Sequence, residues 1–152
     1  MLYISIIILS IILDRITKAL AVKHLMPIDT FPLWKDVFHL TYCENTGAAF
    51  SMFSDSTAAL TVFSIIIALF LCMFLIKQIK KNHKKILYLS GITMMIGGAL
   101  GNIIDRILYG YVVDFFDFTL INFAIFNVAD CFICVGAAIF CLYLVFDKEI
   151  QL

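Results

Sequence analysis

Charge is scarce in this chain: 14% of its 152 residues are Asp, Glu, Lys or Arg, whereas 63% are hydrophobic and the mean hydropathy is +1.04. A soluble domain of this length needs far more polar surface, so that class is excluded. Familiar catalytic signatures are missing too. There is no H-E-x-x-H motif to hold zinc and no G-x-S-x-G elbow to present a serine, and none of His24, His39 and His83 falls on a predicted helix beside a nucleophile. No Lys or Arg precedes Asp14, and no small-residue cleavage site follows it. The opening segment is therefore expected to stay in the protein rather than to leave as a secretory leader.

What is present is long and apolar. Four stretches, at about 1–22, 57–76, 86–106 and 125–146, can each cross a hydrocarbon core that needs about 20 helical residues. Helices satisfy every backbone group within one segment, so each stretch is expected to be a helix. The fold class expected is a mainly α membrane protein, a four-transmembrane-helix bundle in one domain over 1–152. Lys77, Lys80, Lys81, Lys84 and Lys85 crowd the loop at about 77–85. Short basic loops stay cytoplasmic, which makes both termini cytoplasmic and turns the segments at about 24–56 and 107–124 outward. In the first of these, Phe38, Leu40 and Tyr42 alternate with His39, Thr41 and Cys43, the period of a half-buried strand. Residues 109–118 are aromatic and β-branched, while Pro27, Pro32 and Trp34 suggest a bent stretch near the headgroups. A small β-containing cap on the extracytoplasmic face is expected.

Six polar side chains interrupt the spans: Asp14, Lys18, Asn102, Arg106, Asn127 and Asp130. An ionisable group at a helix centre costs about 2.5–3.5 kcal/mol on insertion scales, so it needs a partner or a task. Counting about 1.5 Å of rise per residue brings these groups, with Asp105 and Asp114, to one depth near the outer leaflet. Asp14 with Lys18, and Asn102 with Arg106, are four apart, while Asn127 and Asp130 are three apart, so each pair shares a helix face. Helix-gluing hydrogen bonds are the plain alternative. Two acids at one place ask for more, because like charges a few Å apart share a proton, leaving one acid and one base for hydrolysis. Spacing alone leaves Asp105 and Asp114 both open as partner to Asp130, although Arg106 beside Asp105 favours an ion pair there. A proton pathway is disfavoured, since the inner half of every span lacks charge. A non-catalytic assembly subunit is the remaining rival.

Cys131 and Cys134 form a C-x-x-C inside a predicted helix without a second ligand pair, which reads as apolar packing. Cys72 and Cys141 read likewise, and Cys43 faces outward without an obvious partner. Gly97 and Gly101, four apart, mark a close helix approach.

Several motifs resemble those of bacterial lipoprotein signal peptidase, or signal peptidase II. Asp14-Arg15-Ile16-Thr17-Lys18 is similar to that family's D-x-x-T-K, and Asn45-Thr46-Gly47-Ala48-Ala49-Phe50-Ser51 to its N-T-G-A-A-F-S. Gly101-Asn102-Ile103-Ile104-Asp105-Arg106 and Val112-Val113-Asp114-Phe115 resemble its G-N-x-x-D-R and V-V-D-F, and Phe126-Asn127-Val128-Ala129-Asp130 its F-N-x-A-D. The resemblance implies Asp114 and Asp130 as the catalytic pair. Asn45, Gly47, Asn102, Arg106 and Asn127, with Asp14, Lys18 and Asp105, become substrate-binding or supporting residues. It implies an aspartyl endopeptidase of the bacterial cytoplasmic (inner) membrane, without metal or cofactor. Its substrates would be prolipoproteins cut just before a diacylglyceryl-modified Cys. Phe115, Phe116, Phe118 and Phe126 are candidates to flank the groove for the acyl chains, although Phe at such positions more often serves packing. Membrane lipids but no nucleic acid are expected as partners, and the chain is expected to be a monomer. Arg15 stands where Gln is common in that family, and Cys131 where Ser commonly follows the second Asp.

Overall fold

The computed structural model describes residues 1–47, 57–81 and 86–146. The motif residues Ala48, Ala49, Phe50 and Ser51, and Lys84 and Lys85 of the basic run, lie outside the described residues. Four long helices form: α1 (Leu2–His24), α2 (Thr57–Lys80), α3 (Ile86–Tyr109) and α4 (Val128–Phe146). By length and composition α2, α3 and α4 can each cross a membrane. α1 is as long, at 23 residues, but carries Asp14, Arg15 and Lys18.

α3 is the inner helix, touching α1, α2 and α4, and it holds more buried positions than any other helix. Its approach to α4 depends on Gly98, where an added Cβ would overlap the Ala129 carbonyl oxygen and lie 2.8 Å from Ile133 Cγ1. α2 is different. It turns Val62, Phe63, Ile66, Phe70 and Met73 outward, which suits an apolar solvent and not water.

The segments that connect the helices form an antiparallel sheet in the order β1-β2-β3, made of β1 (Thr30–Trp34), β2 (Phe38–Asn45) and β3 (Val112–Asp117). The alternation at 38–42 is strand β2. β1 is not legible as a strand, because Pro32 reads as a breaker. It is tolerated here since β1 is an edge strand with one unpaired side. Gly110, at φ 80°, ends α3 with its N–H on the Arg106 carbonyl at 3.1 Å, three residues later than the expected end at 106. That reversal sends the chain straight into β3.

The expected start of the last helix, at 125, is also shifted. Phe126 pairs with Phe116 as a β-bridge, its N–H and carbonyl serving β3, so it cannot be helical and α4 begins at Val128. Two apolar clusters cap the bundle's length: Leu75, Tyr88, Leu89, Ile92 and Ile96 at one end, and Ala21, Leu25, Val113 and Phe115 beneath the sheet. Tyr3 and Ile7 of α1 pack on the first cluster and Ala21 belongs to the second. Asp14 and Lys18 therefore fall in a polar layer between them.

Candidate active site

β3 delivers Asp114 into this layer, opposite Cys43 of β2, with Asn45 paired to Val112. Asn45 is thus the diagonal neighbour of Asp114, and its Nδ2 donates to Asp114 Oδ2 at 2.8 Å. From the other side Asn127 Nδ2 donates to Asp114 Oδ1 at 2.6 Å. Asn127 and Asp130 then form a reciprocal cap on α4. The Asp130 N–H donates to Asn127 Oδ1 at 3.0 Å, while the Asn127 N–H donates to Asp130 Oδ2 at 3.1 Å, the geometry of a capping box at the first turn. The remaining oxygen, Asp130 Oδ1, accepts from Asn102 Nδ2 at 2.8 Å. Asn127 therefore touches both carboxylates, one by its side chain and one by its backbone.

Asp114 and Asp130 border one cavity of about 530 Å³, with Asn45, Asn102 and Arg106 also on its wall. The rest of the lining is largely apolar: Val112, Phe123, Ala124, Ile125, Phe126 and Val135, together with Cys131 and Cys134. Of the four phenylalanines named as groove candidates, Phe126 lines the cavity, and the other three pack as Phe at such positions more often does. Phe115 is in the core, and Phe116 and Phe118 pack on Phe38, the first stacked and the second tilted. Cys131 and Cys134, read as packing, stand on the cavity wall instead. The signal that could have found them is their spacing of one and four residues from Asp130. Arg106 Nη2 donates to the Gly47 carbonyl at 3.1 Å, and the Gly47 N–H donates to Asn45 Oδ1 at 2.9 Å, tying Gly47 to both.

A second group lies behind Asn102, away from the cavity. Lys18 Nζ is 2.9 Å from Asp14 Oδ2, 2.9 Å from Asp105 Oδ2 and 2.9 Å from Asn102 Oδ1. Asp14 Oδ1 accepts the Ala129 N–H at 3.1 Å, and Asp105 also pairs with Arg15, which donates to Tyr109 OH at 3.2 Å. Sequence proximity points to Arg106 as the partner of Asp105. The structure pairs it with Arg15 and Lys18 across α1 and α3, and Arg106 faces the cavity. Asp14, Lys18 and Asp105 are each 1% exposed or less. Such buried charges persist because every one is paired, and removing one partner costs about 3–5 kcal/mol.

Burial, and after it the charge of Asp130, push Asp114 up to about 7, against hydrogen bonds from Asn45 and Asn127 that favour the anion. One proton is therefore held near neutrality by an acid that faces a second acid across a cavity. The family model for Signal peptidase (SPase) II matches residues 6–146. The chain belongs to the signal peptidase II family. It is 45% identical over 141 residues to the lipoprotein signal peptidase of Caldanaerobacter subterraneus, covering 93% of this chain and 94% of that one. To that of Clostridioides difficile it is 43% identical over 149 residues, 98% of each chain. Two solved structures, each described as a bacterial membrane enzyme, superpose with TM-scores of 0.80 and 0.78 at 30% identity. The match covers 97% of this chain and 89% of the first, and 96% and 94% for the second. The fold is thus shared with these two membrane enzymes along nearly the whole chain.

Proposed function

We propose that the chain is an intramembrane aspartyl endopeptidase that cuts the signal peptide from diacylglyceryl-modified prolipoproteins, just before the modified Cys. The observation that carries this reading is the pairing of Asp114 and Asp130 on one cavity, bridged by Asn127. The ionised member takes a proton from water, and the oxygen adds to the scissile carbonyl carbon as the neutral member protonates the carbonyl oxygen. Collapse of the diol breaks the C–N bond, with a proton passing to the departing amine. No metal enters this scheme. The apolar wall from Phe123 to Phe126 and Val135 suits acyl chains, and the buried Arg106 Nε, without a partner among the described residues, leaves a donor for a substrate carbonyl.

α1 is the fourth span in this reading. Its 23 residues reach about 35 Å, Asp14 and Lys18 face inward, and Ile8, Leu9, Ile12, Ile16 and Leu20 face outward. Exposed Phe31, Leu33, Trp34, Leu120 and Ile121 would rest the cap on the outer lipid surface. The chain then acts as a monomer in the bacterial cytoplasmic membrane, with both termini inside. The test uses purified protein in detergent, a chelator, and one precursor prepared with and without its diacylglyceryl group. Cleavage is expected only of the modified form, leaving lipidated Cys as the new N-terminus. Equal cleavage of the unmodified form, or loss of activity with the chelator, would overturn the proposal.

A further inference from the structure

Three asparagines surround the two carboxylates, and an amide can present either its oxygen or its NH2 to a neighbour. Here each choice is forced by a partner that can only donate. The Gly47 N–H occupies Asn45 Oδ1, which turns the Asn45 NH2 onto Asp114. The Asp130 N–H occupies Asn127 Oδ1, which turns the Asn127 NH2 onto Asp114. Both of these constraints are backbone groups. The third is a side chain from another helix: the Lys18 ammonium occupies Asn102 Oδ1 at 2.9 Å, which turns the Asn102 NH2 onto Asp130 Oδ1.

Nothing else near Asn102 does this as well. The Asn127 NH2 also approaches Asn102 Oδ1, at 3.1 Å, but it serves Asp114 at 2.6 Å and the Val113 carbonyl at 3.4 Å with only two hydrogens. Lys18 is itself held in place, because its ammonium lies 2.9 Å from both Asp14 and Asp105 as ion pairs, and these acids are anchored in turn by the Ala129 N–H and by Arg15. It is 1% exposed and absent from the wall of the cavity.

We infer that Lys18 is a positioning residue for hydrolysis: it sets the polarity of the Asn102 amide and through it holds Asp130, without touching substrate. This rests on the assignment of Asp114 and Asp130 as the hydrolytic pair. Lys18 supplies no proton to the reaction. Apart from a small through-space pull of its charge on the Asp114 anion, its effect travels through one amide.

A double-mutant cycle of Lys18→Met and Asn102→Ala tests it, with rates measured on folded, monodisperse enzyme in detergent against a diacylglyceryl-modified precursor. Lys18→Met should lower kcat roughly ten- to a hundredfold, the range for one hydrogen bond to a charged group, with KM within about twofold. In the Asn102→Ala background the same change should cost less than about twofold. Additive losses, a rise in KM alone, or an unchanged kcat would overturn the inference. Lys18→Met strands two buried acids, so the cycle is repeated in Asp14→Asn, where Asp105 keeps Arg15 and the charge lost is balanced. A purely structural Lys18 would change the folded yield and Tm and leave kcat of the surviving enzyme intact. Asp114→Asn and Asp130→Asn run alongside. Activity in either sinks the parent assignment, whereas inactivity in both beside a fully active Lys18→Met sinks only the inference about Lys18.

Discussion

Asp114 holds its proton up to about 7 because it is buried beside a second acid, with the two asparagine amides pulling the other way. The sign of the pH response follows. In the proposed mechanism, as pH rises through that value the acid member loses its proton and kcat/KM should fall; at low pH no base remains. A profile from pH 5 to 9 should therefore turn down on its alkaline side near 7, and a flat alkaline limb would contradict the assignment. Asn45→Ala removes one of the donors that favour the anion, so its alkaline limb should move to higher pH than that of the wild type. The same shift in the opposite direction would show that Asn45 acts otherwise. At this scale the sequence reveals groups that share one element. Asp14 and Lys18 are legible from their i,i+4 spacing. The pairing of Asp105 with Arg15 is not, because it depends on how α1 and α3 are rotated against each other, which no local spacing encodes.

α4 begins where it does because Asn127 caps it and Phe126 is committed to β3. Cap and site share one residue, and two substitutions separate them. Asn127→Ser keeps a good cap but cannot also reach Asp114, so Tm should stay within a few degrees while the cleavage rate falls at least about tenfold. Asn127→Ala should lose activity and also about 1 kcal/mol of stability, read as a lower Tm in the same detergent. Equal Tm for the two would remove the capping argument. The helices are legible as long apolar runs, and β2 as an alternation. β1 and the true start of α4 are hidden, since one contains a proline tolerated only at a sheet edge and the other depends on a bridge to a strand ten residues away.

Across the whole molecule, the polar layer lies between two apolar clusters, and the sheet closes one end of the bundle. The exposed faces of α1 and α2 are largely apolar, which fits helices in lipid; the proposed topology puts the sheet outside and the Lys81 end of α2 inside. In a cysteine-free background, Asp36→Cys in the β1–β2 turn should react with an impermeant maleimide in intact cells, and Lys81→Cys at the end of α2 only after lysis. The reverse pattern would invert the topology. The convergence of distant polar residues was legible from counting rise along helices, and the motifs singled out which acids to watch. The cavity wall was not, because Cys131, Cys134 and Val135 face it only once α4 is docked on α3. The account as a whole is tested most directly by the cleavage rate of a diacylglyceryl-modified precursor by Asp114→Asn and Asp130→Asn proteins that remain folded and monodisperse. Each should fall by ~10²–10⁴-fold or more while still binding the precursor; a near wild-type rate in either would contradict the shared-proton pair.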